Sequence, residues 1–264
     1  MDAERMTVPK FRSLKGKRKP VCLTAYDEPT GRLADEAGVD LILVGDSLGN
    51  VVLGYENTLP VTMEEMEHHV RATRRGVTRA LLVADMPFGS FQASVDHTVE
   101  CACRLVKAGA EAVKLEGGSS VEKSIRRLTE VGVPVMGHVG MTPQSVHSFG
   151  GFRVQGRGEQ AEMLMREAMR VQEAGAFSVV LEMVPADVAE RITAKLSIPT
   201  IGIGAGPGCD GQIQVFHDIL NLGRFHPKHA RVFADAAQTI TEGIRTYAEQ
   251  VREGTFPSSE ESFQ

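Results

Sequence analysis

Lys107-Ala-Gly-Ala-Glu111 runs straight into Ala112-Val-Lys-Leu-Glu116, and the same kind of phrase returns three more times along the chain. Glu36-Ala-Gly-Val-Asp40 precedes Leu41-Ile-Leu-Val-Gly-Asp46, Glu130-Val-Gly-Val-Pro134 precedes Val135-Met-Gly-His138, and Glu173-Ala-Gly-Ala-Phe177 precedes Ser178-Val-Val-Leu-Glu182. Each reads as a helix end whose glycine suits the left-handed position, followed at once by a strand. Apolar runs this short suit strands covered on both faces, the condition of a parallel sheet. Working outward, further strands are predicted at Val21–Tyr26, Ala80–Asp85, Thr200–Ile203 and Ala230–Ala234, which makes eight.

Helical spacing fills most of the intervals. Thr62-Met-Glu-Glu65 has the form of a capping box, with Met66, Val70 and Thr73 on one face behind it. Ser120 is placed to cap a helix that turns Val121, Ile125 and Leu128 inward, and Ala161, Leu164, Ala168 and Val171 mark another buried face. Strands alternating with helices build either a barrel or a doubly wound sheet. Eight strands in 264 residues, against roughly 250 for a (β/α)8 barrel, favour an α/β fold of the TIM-barrel class. No Pro/Gly/Ser-rich linker interrupts residues 1–264, so one domain is expected, with an N-terminal extension over about residues 1–19 and a polar C-terminal tail over about 253–264.

Composition narrows the function classes. Apolar residues make up 42% and charged residues 24%, sufficient for a real core. The net charge is −5 and the Lys and Arg residues are scattered, which argues against a nucleic-acid partner; Lys15-Gly-Lys-Arg-Lys19 reads as a short solvated stretch. No apolar run approaches the ~18 residues that span a bilayer, and Met1-Asp-Ala-Glu-Arg5 lacks the form of a signal peptide. A cytoplasmic protein without a membrane partner is expected. Cys22, Cys101, Cys103 and Cys209 form no CxxC pair and are read as thiols.

Barrel enzymes gather their chemistry at the C-terminal strand ends. There this chain places Asp46 and Ser47, then Asp85, Lys114 with Glu116, His138, and Glu182. Any one carboxylate could be a helix N-cap. Four converging on one mouth would repel one another and suffer desolvation, which a bound cation relieves. Oxygen ligands without a cysteine or a histidine pair select a hard cation, Mg²⁺ before Mn²⁺, with Asp46 and Asp85 the leading direct ligands. Lys114 either snorkels to a rim or binds an anion at the mouth, and His138 is either a neutral core histidine or a pocket residue. Ile201-Gly-Ile-Gly-Ala-Gly206 is either a phosphate-cradling loop or a place of tight packing; it is not a dinucleotide fingerprint.

Several stretches together resemble the ketopantoate hydroxymethyltransferase (3-methyl-2-oxobutanoate hydroxymethyltransferase) family. They are Leu23-Thr-Ala-Tyr-Asp27, Val44-Gly-Asp-Ser-Leu-Gly49, Ala84-Asp-Met-Pro-Phe88, Val113-Lys-Leu-Glu-Gly-Gly118 and Gly137-His-Val-Gly-Met-Thr-Pro-Gln144. Gly150-Gly-Phe-Arg-Val-Gln-Gly156, Val180-Leu-Glu-Met-Val-Pro185, and Ile201–Gly206 with Cys209-Asp-Gly-Gln212 continue the match over roughly residues 20 to 220. The resemblance implies a barrel that transfers a hydroxymethyl group from 5,10-methylenetetrahydrofolate to 3-methyl-2-oxobutanoate, giving ketopantoate, the first step of pantoate and pantothenate synthesis. It implies that Asp46 and Asp85 bind Mg²⁺, with Glu116 nearby and acting through water. It further implies that Ser47 and Lys114 hold the keto acid with His138 in the same pocket, and that Glu182 is the catalytic base. Homo-oligomers, usually decamers of paired pentamers, are implied as well. The chain differs from the family pattern at Ile213-Gln-Val-Phe-His217 and Pro227-Lys-His-Ala230, and carries Met141 where leucine is common. With 5% aromatic residues and no tryptophan, no platform for a pterin is evident and no residue is assigned to folate.

Two other readings use the same residues. A phosphoenolpyruvate mutase or isocitrate lyase type of enzyme also stabilises an enolate on Mg²⁺ within a similar barrel, and cleaves its substrate without folate. A non-catalytic barrel would bind a keto acid, yet has no need of a base at Glu182.

Overall fold

Eight parallel strands close on themselves in chain order: β1 (Val21–Thr24), β2 (Leu41–Val44), β3 (Leu81–Asp85), β4 (Ala112–Glu116), β5 (Val135–Gly140), β6 (Ser178–Glu182), β7 (Thr200–Ile203) and β8 (Gly211–Gln214). The register runs from Cys22 opposite Leu41 around to Ile201 opposite Gly211, and Val21 opposite Gln212 shuts the ring. The computed structural model describes residues 5–223 and 225–263. Its α-helices are α1 (Val8–Arg12), α2 (Glu28–Glu36), α3 (Leu48–Val51), α4 (Met63–Gly76), α5 (Val95–Ala108), α6 (Glu122–Glu130), α7 (Val146–Phe149), α8 (Gln160–Glu173), α9 (Ala186–Lys195), α10 (Phe216–Ile219) and α11 (Ala236–Glu253). The expected TIM barrel is present. All four glycines of the recurring phrase have positive φ, from +85° at Gly38 to +122° at Gly109, and each stands between a helix and the next strand.

One strand lies elsewhere than predicted. Ala230–Ala234 forms no strand, and β8 is Gly211–Gln214. Ala230-Arg-Val-Phe-Ala234 has the β-branched and aromatic content of a strand. The true β8 is half polar, with only Ile213 directed into the core while Gln212 and Gln214 are partly exposed. Helix starts show a similar split. The capping box of α4 forms as expected between Thr62 and Glu65, and Asp27 and Thr30 make another at α2. Ser120 caps nothing: Ser119–Val121 is a 3-10 turn, and Glu167 accepts the Ser119 N–H instead.

Alternate residues of each strand fill the barrel: Cys22, Leu41 with Leu43, Leu81 with Val83, Ala112, Met136, Val180, Ile201 and Ile213. Phe11 of α1 belongs to the same core and meets Phe177 edge-on at 5.9 Å. Burying the larger of these, the Leu, Ile, Val, Met and Phe side chains, contributes about 1.5–3 kcal/mol each. Residues Val21 and Leu81 begin their strands and Thr24 and Asp85 end them, so the polar residues gather at the opposite mouth from the strand starts.

The chain divides into two compact units, the first ending at Phe216 and containing the barrel, the second beginning at His217. In the second, Asp235 caps α11 by accepting the Gln238 N–H, and Gly254 in the left-handed region ends it. Ile240, Ile244, Tyr247 and Val251 recur at helical spacing on α11 and are all exposed. Among the described residues, no helix is long and apolar enough to cross a membrane.

Candidate active site

The period-two geometry of a strand carries the core rows straight into the site. Asp85 continues the inward row of Leu81 and Val83, Lys114 and Glu116 continue from Ala112, His138 from Met136, and Glu182 from Val180. Cross-strand register then sets Asp85 beside Lys114 and Glu116 beside His138. On β2 the next inward position is Gly45, where a Cβ would come within 2.9 Å of Ser47 Oγ and 3.4 Å of Asp85 Oδ2. Its missing side chain leaves that space to its neighbours. Asp46 follows, and its backbone N–H donates to Asp85 Oδ2 at 3.0 Å.

Asp46, Asp85, Lys114, Glu116 and His138 are all buried, none more than 7% exposed. The Lys114 ammonium lies 2.9 Å from Asp85 Oδ1 and 3.1 Å from His138 Nδ1. Burial alone would lower the Lys114 pKa, but the charges of Asp85, Glu116 and Asp46 outweigh it and hold the group firmly protonated. Asp46 is pushed well above the ordinary carboxylate range by burial first, and then by Asp85 and Glu116. Asp85 is also raised by burial, against the pull of Lys114. Glu116 goes the other way: burial opposes ionisation, but His138, Lys114 and the Gln144 N–H overcome it. Four carboxylates, with Glu182 counted, therefore face one lysine and one histidine.

His138 links this cluster to Glu182. Its Nε2 is 3.2 Å from Glu182 Oε2 and its Nδ1 is 3.6 Å from Glu116 Oε1. Burial and Lys114 push the imidazole pKa down, but the flanking carboxylates win and raise it to about 9. The neutral tautomer that accepts from Lys114 at Nδ1 carries its hydrogen on Nε2, the ring nitrogen nearer Glu182. Backbone fixes Glu182 as well. Its carbonyl accepts from Met141 N at 2.8 Å, and a Cβ on Gly140, whose φ is +98°, would lie 2.3 Å from that oxygen. The next residue, Met183, is a non-glycine with φ of +48°, pinned by hydrogen bonds to Ile203 O and from Gln155 N. Strain of roughly 1–3 kcal/mol held by surrounding structure is typical of functional sites.

The structure thus brings Asp46, Asp85, Lys114, Glu116, His138 and Glu182 into one connected group. Ser47 joins it through its neighbour Asp46, with its hydroxyl 2.8 Å from that of the buried Tyr26. Tyr26 and Gln144 are site residues whose role no local sequence pattern signals. Gln144 donates from Nε2 to Asp46 Oδ2 (2.8 Å) and to Met86 O (2.9 Å), and from its backbone N–H to Glu116 Oε2 (2.9 Å). A Thr-Pro pair ahead of it starts a 3-10 turn, Pro143–Ser145, immediately after β5, the one local signal of its placement.

The glycines in and after β7 serve close packing. A Cβ on Gly206 would lie 2.5 Å from Ala186 Cβ, and one on Gly202 would lie 3.0 Å from Cys209 Sγ. Residues 204–210 lead directly into β8 with no helix between the two strands.

A family model described as Ketopantoate hydroxymethyltransferase matches residues 5–259. The 3-methyl-2-oxobutanoate hydroxymethyltransferase of Trichlorobacter lovleyi is 55% identical over 263 residues, covering 98% of this chain and 99% of its own. That of Thermotoga neapolitana is 53% identical over 260 residues, 98% and 96% of the two chains. Among solved structures, the phosphoenolpyruvate phosphomutase of Streptomyces platensis subsp. rosaceus superimposes with a TM-score of 0.64 at 14% identity, covering 94% of this chain and 88% of its own. A phosphonopyruvate hydrolase crystallised with oxalate and Mg²⁺ gives 0.62 at 15% identity, covering 97% and 93%. These structures share the fold.

Proposed function

This chain belongs to the ketopantoate hydroxymethyltransferase family, and from that premise we propose that it is a Mg²⁺-dependent enzyme transferring a hydroxymethyl group from 5,10-methylenetetrahydrofolate to 3-methyl-2-oxobutanoate, giving 2-dehydropantoate (ketopantoate). The observation that carries the reading is Glu182, 13% exposed at the barrel mouth and held against His138, beside a buried group of three acids and one lysine.

The residues fit a divalent cation. Among the described residues no three Asp, Glu, His or Cys side chains form a complete metal set. Mg²⁺ commonly takes only one or two carboxylates and fills its remaining positions with water and substrate. Asp46 and Asp85, both buried and held together by the Asp46 N–H, would supply those two, with Glu116 acting through water. The excess of carboxylates over cations, and the resistance of Asp46 to ionisation that follows from it, are what two added positive charges relieve. When bound, Mg²⁺ supplies Lewis-acid polarisation of the keto oxygen.

The chain's own side chains do the rest. Lys114, released from compensating Asp85, neutralises the substrate carboxylate and fixes its orientation. The Ser47 hydroxyl, placed by Tyr26, holds the keto acid, and His138 lies in the same pocket. Glu182 takes the proton from C3. The resulting enolate carbon attacks the methylene carbon of the folate, its bonds to the two folate nitrogens break, and water supplies the hydroxyl oxygen; tetrahydrofolate leaves. Assembly into a homo-oligomer, with a decamer expected, and residence in the cytoplasm complete the reading. The exposed apolar row of α11 supports contact with other copies of the chain, since monomers rarely leave such patches open.

The test is proton exchange at C3 of 3-methyl-2-oxobutanoate in D₂O, followed by NMR with and without Mg²⁺, then addition of 5,10-methylenetetrahydrofolate. Metal-dependent exchange followed by ketopantoate is expected. Exchange without product would overturn the one-carbon donor, and no exchange would overturn the keto acid and the role of Glu182.

A further inference from the structure

Gln144 sits where three strand ends meet, and its side-chain amide and its backbone N–H are all engaged. One amide hydrogen goes to Asp46 Oδ2 after β2, the other to the Met86 carbonyl one residue past Asp85 after β3, and its backbone N–H goes to Glu116 Oε2 at the end of β4. Its amide oxygen accepts from Gln92 Nε2 at 3.2 Å. Gln92 in turn lies in the loop after β3, where its own oxygen accepts the backbone N–H groups of Gly89 and Phe91. An amide flipped end over end would set its oxygen against the Asp46 carboxylate and the Met86 carbonyl, both acceptors, so its orientation is fixed.

We propose that Gln144, oriented by Gln92, is a positioning residue that holds the Asp46 and Glu116 carboxylates in the arrangement a divalent cation needs. The inference rests on the metal reading given above and adds a residue to it. The physical case is that Asp46 stands among like charges. Left to itself, its carboxylate would turn away from Asp85 and Glu116. The Gln144 amide supplies a donor that fixes one rotamer, and because it engages Oδ2 it leaves Oδ1 to a ligand. The same residue's backbone does this for Glu116, so a single short turn sets the spacing of two carboxylates from different strands.

The test is Mn²⁺ binding to metal-free protein, read from the electron paramagnetic resonance of the free ion, for the parent chain, Gln144→Met and Gln92→Leu. Near-UV circular dichroism reports folding in each. Gln144→Met keeps the volume and removes the donor, and is expected to weaken Mn²⁺ binding about 10–100-fold. Gln92→Leu, on an exposed side chain that leaves the core untouched, removes the neutral hydrogen bond to Gln144 together with the two its oxygen accepts in its own loop, and is expected to weaken it about 2–10-fold. In turnover, excess Mg²⁺ should restore kcat of Gln144→Met, which a general packing defect would not allow. A folded Gln144→Met with parental Mn²⁺ affinity overturns the proposal. Should that variant fail to fold, parental affinity in Gln92→Leu overturns it instead. A parent chain that binds no Mn²⁺ overturns the metal reading itself, and this inference with it.

Discussion

His138 Nε2 lies 3.2 Å from Glu182 Oε2 while Nδ1 of the same ring lies 3.1 Å from Lys114 Nζ, so one imidazole spans the gap between the predicted base and the buried cation. Its removal should therefore disturb proton abstraction more than folding of the barrel. His138→Leu is expected to lower the C3 exchange rate on the order of 100-fold, the effect of misplacing a reacting group by about an ångström. His138→Gln, which keeps a donor, should lose less. Equal losses in the two variants, measured by NMR exchange at saturating keto acid, would show that the ring acts by volume alone.

Glu182→Gln removes the proposed base and keeps its shape. Exchange at C3 should fall about 10²–10⁴-fold, the usual worth of a positioned general base. Binding of 3-methyl-2-oxobutanoate, followed by calorimetry, should change little, because Lys114 and Ser47 are untouched. Full exchange in this variant would assign the proton to another group.

Stability of the metal-free protein should fall as pH rises through the neutral range. His138 binds its proton more tightly folded than unfolded, with a pKa raised from 6.5 to about 9. Its contribution is complete below 6.5 and is lost as pH passes 9, at most about 3 kcal/mol by linkage. Asp46 acts in the same sense. The unfolded carboxyl ionises near 3.8 while burial, Asp85 and Glu116 hold the folded one protonated to higher pH, so rising pH favours the unfolded chain there too. The Tm increment given by Mg²⁺ should grow over the same interval, because the ion selects the deprotonated carboxylates. A Tm profile flat from pH 6.5 to 9, or one unchanged in His138→Gln, would contradict this account.

Lys114→Met leaves Asp85 buried without its ion-pair partner. Breaking a buried pair from one side costs about 3–5 kcal/mol. Denaturant unfolding should show a loss of that order in metal-free protein and a smaller one with Mg²⁺ present, since the ion takes over the compensation of Asp85. A loss indifferent to Mg²⁺ would separate Lys114 from the metal-binding group.

Much of this was legible from local pattern. The four recurring glycine phrases mark four helix ends and four strand starts, because a left-handed residue before a buried run has few other uses. Period-two alternation then put Asp85, Lys114, Glu116, His138 and Glu182 on the inner face without any knowledge of distance. What stayed hidden depends on partners far away in sequence. Gln214 and Gln212 form a strand only because β1 and β7 pair with their segment, so a polar four-residue stretch gave way in the reading to the more strand-like Val232 and Phe233. Ser120 lost its cap to Glu167, nearly fifty residues on. Gln144 meets Asp46 across a separation of 98 residues, and no spacing rule reaches that far.

The pairing of β1 with β8 has a kinetic side. Every other neighbouring pair of strands joins consecutive segments, whereas this one joins the two ends of the barrel-forming chain. Around it, Lys15 Nζ reaches Asp210 Oδ2 and Lys19 Nζ reaches the Cys209 carbonyl, over separations of 195 and 190 residues. Contacts so distant along the chain reward the entropy of loop closure only after nearly everything between them is in place. The seam between β8 and β1 is therefore expected to be the last part of the ring to knit during folding and the first to exchange its amide hydrogens when the native barrel breathes.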